Sequence, residues 1–263
     1  PAPEPEAEAD AEAEPEAEAE PVFAPMALEI TNNTDYSIDL TALPALPGGL
    51  DFQSGDPVIL IVHTHTTESY RASEGSRSTD PEDGVMAVGD AMAAALEARG
   101  YRVLHDKTLC DWPEYDGAYD RSRQVIRDDL EEYPSLLLVL DVHRDAVEDG
   151  DGREIGLLTE TDLGGAAQLM LVVGSDGGSL PHPDWQKNLT LAAALQGRLS
   201  ELCPGLMRPI NLRPQRFNQD LGALSLLVEV GASGNGLEEA LRSAELFSQG
   251  LADILDRYSG DNS

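Results

Sequence analysis

The chain is 263 residues long and carries 17 Lys+Arg against 49 Asp+Glu, a formal net charge of −32. Nucleic-acid binding needs cations that displace counterions from phosphates, so that class is close to excluded, and an anionic membrane surface repels such a chain. No run of 18 apolar residues is present, and two cysteines, Cys110 and Cys203, neither form a disulfide framework nor show metal-cluster spacing.

Residues 1–22 read PAPEPEAEADAEAEPEAEAEPV, nine acids and no base. Such a segment cannot bury enough apolar surface to offset its ordering entropy, and its charges extend it. The expectation is a disordered acidic Pro/Ala/Glu linker over 1–25, followed by a single α/β domain over 26–263. Because the chain begins at Pro1 rather than Met, a tether from an absent N-terminal anchor or signal is a further expectation.

Residues 28–39 suggest a short strand and turn. PVILIVH (57–63) is a continuous β-branched run, the pattern of a strand buried on both faces. GVMAVGDAMAAALEAR (84–99) predicts a helix stopped by Gly100, and YRVLHD a strand. YDRSRQVIRDDLEEY (119–133) predicts a helix ending before Pro134, and LLLVLDVH (136–143) a second buried strand. AQLMLVVG (167–174) repeats the strand pattern, with a helix over about 184–202. LSLLVEVG (224–231) and a closing helix over 237–258 complete the chain. Strand and helix alternate without internal repeat, which predicts a largely parallel central sheet with helices on both faces.

In open α/β sheets, sites form at the carboxyl ends of strands. Three of the predicted strands end in residues able to do chemistry. The first runs into His63, His65 and Glu68, where H-x-x-E spacing can turn an imidazole and a carboxylate toward one ion. The second ends at His143. Two histidines and a carboxylate with an open fourth position suit a catalytic zinc ion, whereas a single strand-end histidine is usually only a hydrogen-bonded structural residue. Glu229 sits inside LLVEVG, where a carboxylate is costly without a partner. It is either a buried partner of an arginine or a general base. Asp141 shares a face with His143 and can orient that imidazole. Arg144 and Asp145 follow directly, and Arg121 and Arg123 flank a helix start, so these are candidate substrate contacts or local salt bridges. Asn218 and Asp220 are candidates for the pocket rim, and His105 and His182 read as structural.

The strings VILIVHTHTTESY, YDGAYDRSRQVIRDDLEEYP, LDVHRDA and RFNQDLGALSLLVEVGASGNGLEEA closely resemble the stage II sporulation protein P family. The resemblance covers about residues 28–257. It implies a cell-wall hydrolase related in fold to zinc-dependent N-acetylmuramoyl-L-alanine amidases. It further implies metal ligands at His65 or His63 and at His143, with Glu229 as the catalytic carboxylate. Those amidases place their carboxylate ligand at the start of the first helix, where DPEDGVMAVGD offers Glu82 or Asp83; Glu68 is the nearer alternative. The implied function is cleavage of the N-acetylmuramoyl-L-alanine amide bond, with an added endopeptidase activity on cross-links. The implied setting is extracytoplasmic and membrane-tethered, with peptidoglycan as substrate, during sporulation engulfment. A glycan-cleaving sporulation protein and a membrane scaffold are the implied partners. A carboxypeptidase-like metallopeptidase and a non-catalytic wall-binding module are the competing readings.

Overall fold

A computed structural model describes residues 28–46, 50–71 and 76–260. The acidic segment expected over 1–25 lies outside the described residues.

Among the described residues, nine strands and four α-helices follow in chain order: β1 (Ile30–Asn32), β2 (Ile59–Val62), α1 (Gly84–Ala98), β3 (Val103–His105), α2 (Ala118–Glu132) and β4 (Leu138–Asp145). Then come β5 (Leu158–Thr161), β6 (Gly164–Ala167), β7 (Leu169–Gly174), α3 (Trp185–Leu202), β8 (Ile210–Arg213), β9 (Leu224–Ala232) and α4 (Leu237–Gly260). Seven strands form one sheet in the order β1-β8-β7-β9-β4-β2-β3, and β5 and β6 form a separate hairpin. All neighbouring pairs in the large sheet are parallel except β7 with β9. The expected largely parallel α/β sheet is therefore present. It consists of two parallel blocks that run in opposite directions and meet at the β7–β9 seam. β8 and the β5–β6 hairpin have no counterpart among the elements expected from the sequence.

Period-two alternation sorts the strand residues onto two faces. Ile59 and Ile61, Leu138, Leu140 and Val142, and Leu224, Leu226, Val228 and Val230 face the main core. That core also takes Val88, Met92 and Leu96 of α1, Leu189 and Leu195 of α3, and Phe247 and Leu251 of α4. Each such side chain contributes about 1.5–3 kcal/mol by leaving water. Leu60, Val62 and Val139 point the other way, against Ile126 of α2. Helices thus cover both faces, three on one and α2 alone on the other. On the α2 side, Met170, Val172 and Leu227 form only a small cluster with Phe217. That part of the sheet face is left open as a cleft.

Candidate active site

The cleft measures about 240 Å³ and is lined by His65, Glu68, His143, Arg144, Asp145 and Glu229, together with Tyr119, Asn211, Arg213 and Phe217. Alternation explains the strand contributions. Val139, Asp141 and His143 share one face of β4, and Ser225, Leu227 and Glu229 share one face of β9. His143 and Glu229 are direct register partners across these parallel strands. His65 and Glu68 arrive from the turn after β2, where the Glu68 amide donates to the His65 carbonyl at 3.0 Å.

His143 stands between two carboxylates. Its Nε2 lies 2.9 Å from Asp141 Oδ1, though not aligned for a hydrogen bond, and its Nδ1 lies 3.5 Å from Glu68 Oε2. Burial opposes a charged imidazole here, but Asp141 and Glu68 outweigh it and raise His143 well above the ordinary value. Asp141 is fixed in turn by the Thr64 amide at 2.7 Å and the Thr64 hydroxyl at 2.6 Å. Burial would raise the Asp141 carboxyl, yet His143 and these donors hold it below its usual range. Glu68 is likewise held low against its burial by His143 and Arg144. It also accepts the Arg144 amide proton at 3.1 Å.

His65 stacks on Tyr115, with ring centroids 4.6 Å apart, and its Nε2 lies 3.2 Å from the Tyr115 hydroxyl. Burial lowers its pKa. Three buried polar atoms at the cleft, His65 Nδ1, His143 Nε2 and Glu229 Oε2, have no hydrogen-bond partner among the described residues. For Glu229, burial is the main cause that pushes the carboxyl up to about 8; Glu68 and Asp145 add to it and His143 opposes it. No arginine pairs with Glu229 among the described residues, because Arg208 bonds Asp145 at 2.8 Å instead.

His63 requires a correction. One residue past the β2 pattern, it falls on the α1 side of the sheet, where its Nδ1 meets the Val142 carbonyl at 2.9 Å and its Nε2 meets His105 Nε2 at 2.8 Å. Burial, with His105 next to it, lowers its pKa to about 3. Gly89 of α1 makes room for this pair, since a Cβ there would overlap both rings. His63 therefore sits outside the cleft, and His105 is its structural partner.

The other expected residues divide as well. Glu82 is exposed, and Asp83 caps α1 through the Gly84 amide. The carboxylate beside the two imidazoles is Glu68. Arg144 lines the cleft, but its guanidinium donates to the Ser69 and Ser76 carbonyls and so holds the loop after Glu68. Arg121 donates to the carbonyls of Cys110, Glu114 and Asp116 and holds the loop that carries Tyr115. Arg123 pairs with Asp220 at 2.7 Å. Asn218 lines a neighbouring cavity of about 470 Å³ that shares Tyr119 and Phe217 with the cleft. Sequence reasoning missed Asp111, which lies 3.8 Å from His65 Nδ1, and the cleft residues Asn211, Arg213 and Phe217.

Two imidazoles, each with a buried ring nitrogen lacking a hydrogen-bond partner among the described residues, and the Glu68 carboxylate are the donor set that suits zinc. In this arrangement they are not drawn together: among the described residues, no three of His, Cys, Asp and Glu form a cluster that could hold a metal ion.

Fold and cleft together define an α/β protein with a buried His/Glu site on the open half of its sheet. The family model described as stage II sporulation protein P matches residues 2–252. Stage II sporulation protein P of Bacillus subtilis (strain 168) is 31% identical over 214 residues, which is 73% of this chain and 50% of that protein. The chain belongs to the stage II sporulation protein P family, and it spans about half the length of that relative. Among solved structures, an N-acetylmuramoyl-L-alanine amidase from Clostridium difficile 630 is 9% identical with a TM-score of 0.46. That alignment covers 80% of this chain and 100% of that one. An amidase of the same description from Nostoc punctiforme is 15% identical with a TM-score of 0.43, over 78% and 99% of the two chains.

Proposed function

We propose that this chain is a zinc-dependent peptidoglycan hydrolase that cleaves the amide bond between N-acetylmuramic acid and L-alanine. The observation that carries the reading is the convergence of His65, Glu68, His143 and Glu229 on one cleft, with His65 Nδ1 and Glu229 Oε2 buried and unpartnered among the described residues. His65, Glu68 and His143 would hold the zinc. When bound, zinc polarises the amide carbonyl and acidifies water.

The protein's own groups do the rest. Asp141 orients the His143 ring, as carboxylates behind metal-ligating histidines do. Glu229 stands in register with His143 and is the group left to take a proton from the attacking water and return it to the leaving amine. Its raised pKa, near 8 through burial, suits a carboxyl that must both accept and give a proton near neutral pH. The Arg144 and Arg121 guanidiniums hold the two loops that carry Glu68 and Tyr115, so they fix geometry for the site.

Membership in the sporulation family supports a cell-wall substrate outside the cytoplasm, and the strong negative charge keeps the chain off nucleic acid. No helix among the described residues is long and apolar enough to cross a membrane. A membrane tether, a membrane scaffold and a glycan-cleaving partner are the setting that the family suggests.

The test is digestion of purified peptidoglycan by the zinc-loaded chain, with products read by mass spectrometry and metal content measured in parallel. Release of intact stem peptides is expected. Products shortened by a C-terminal residue would instead establish a carboxypeptidase, and cleaved cross-links the added endopeptidase. Intact peptidoglycan alongside clearly less than one zinc per chain would leave a wall-binding module.

A further inference from the structure

We infer that Arg213 is a carboxylate-reading residue of the cleft, and that its ligand is a free carboxylate on the peptide portion of the substrate. The inference rests on the proposed cleavage of peptidoglycan and names the part of the substrate that the cleft recognises.

Two arginines line the cleft, Arg144 and Arg213, and a third, Arg208, lies behind its residue Asp145; Arg144 and Arg208 are already engaged. The Arg144 guanidinium donates to the Ser69 and Ser76 carbonyls. Arg208 is paired with Asp145 at 2.8 Å. Arg213 lines the same cleft, and among the described residues its guanidinium has neither a carboxylate nor a carbonyl partner. In a chain with 49 acids and 17 bases, a cation at the site without an acid beside it is unusual. A guanidinium matches a carboxylate through two parallel hydrogen bonds, which makes it the natural reader of a planar anion.

The backbone beneath Arg213 is fixed. Its carbonyl accepts from both the amide and the hydroxyl of Ser175, each at 2.9 Å. Its register partner is Gly174 of β7, and the backbone of Gln215 and Arg216 passes so close that a Cβ on Gly174 would overlap it. Gln219 anchors the same turn, accepting the Gly174 amide and donating to the Val172 carbonyl, each at 2.8 Å. These contacts fix the backbone from which the Arg213 side chain extends.

Position in the sheet sets the spacing. Glu229 pairs with Met170 and Arg213 with Gly174, so Arg213 lies two strands across and four residues along from Glu229. At sheet spacings this separates their Cα atoms by roughly 16 Å. Both residues line the cleft, and that separation, less the length of the two side chains, leaves room for about one to three extended residues. In a stem peptide, the free α-carboxylate of the γ-linked D-glutamate lies one residue beyond the alanine amide. The sugar side offers no carboxylate, since the lactyl carboxyl is consumed in the amide. Arg213 therefore marks the peptide end of the cleft.

The experiment measures binding by titration calorimetry, so that it does not depend on turnover. The zinc-loaded parent and Arg213→Gln are titrated with the peptide L-Ala–γ-D-Glu–diaminopimelate and with the same peptide whose D-glutamate α-carboxylate is a carboxamide. Circular dichroism confirms that the variant is folded. The parent should bind the carboxylate peptide about 10–100-fold tighter than the carboxamide, and the variant should lose that preference to within about threefold. Equal binding of both peptides by the parent, or a preference kept by Arg213→Gln, overturns the assignment. Digestion of muramoyl-peptide is run beside it: failure to cut, with the binding preference intact, rejects the amidase reading and keeps the Arg213 site.

Discussion

At the scale of single residues, the proposed function separates groups that would hold the metal from the group that would transfer a proton. His143 lies between Asp141 and Glu68, and both neighbours favour its charged form. A divalent ion would take the place of that proton. His143→Ala removes one donor, so zinc content and peptidoglycan digestion should fall together. Asp141→Asn keeps the shape but weakens the support behind the ring, and should lower zinc affinity about 10–100-fold in a chelator competition. Glu229 behaves differently, because burial pushes its carboxyl up to about 8, which suits a group that takes and returns a proton. Glu229→Gln should keep the zinc and lose turnover by roughly 10²–10⁴-fold. Loss of the metal from a folded Glu229→Gln would make Glu229 a ligand and leave Glu68 as the base.

At the scale of elements, the α1 start is pressed against the site. Gly84 has φ of 68°, and a Cβ there would overlap the Glu68 carbonyl oxygen, which accepts the Val85 amide at 3.0 Å. Gly84→Ala should cost about 2–4 kcal/mol, lower the melting temperature by roughly 5–15 °C, and weaken zinc retention by displacing Glu68. Gly100 is the control: its φ is 94°, but a Cβ added there would meet nothing within 4 Å. Gly100→Ala should cost only the backbone strain, about 1 kcal/mol, with zinc retention unchanged. The elements that carry the cleft's His and Glu residues are legible in the sequence because β2, β4 and β9 are runs rich in Leu, Val and Ile bounded by turn residues. β8 is not, since INLR is four residues between Pro209 and Pro214. The β5–β6 hairpin turns at Asp162 and Leu163 without an Asn-Gly signal, and GGAA carries almost no side chain to show a strand. These silent elements hide Asn211, Arg213 and Phe217, because their wall of the cleft depends on β7 reversing direction. His63 is ambiguous for a smaller reason: HTH offers two histidines at the end of one strand, and only the path of the chain after β2 decides which one faces the open side.

At the scale of the whole molecule, charge is the dominant feature. With a net charge of −32, self-repulsion opposes the compact state, and salt screens it over about 8–10 Å near physiological strength. The melting temperature should therefore rise between 20 and 200 mM sodium chloride (assay conditions, roughly spanning the change in screening length). Asp129 on α2 concentrates this stress. Its Oδ2 is buried without a hydrogen-bond partner among the described residues, and burial, followed by Asp106, Glu132 and Asp128, raises its pKa to about 6. In the unfolded chain the same carboxyl titrates near 3.8. Below that value both states hold the proton and the residue costs nothing. As pH rises from about 4 to about 6, the unfolded chain releases the proton while the folded chain retains it, so stability falls. Above about 6 the full cost is present. Asp129→Asn fixes the uncharged form, and at pH 7.5 it should raise the melting temperature by about 2–4 °C, near 1 kcal/mol for a part-exposed group. The gain should shrink through pH 6 to 4 and vanish below it. A gain that persists undiminished at pH 3.5 would show that the variant acts through packing or helix propensity, and that Asp129 carries no charge stress in the folded chain.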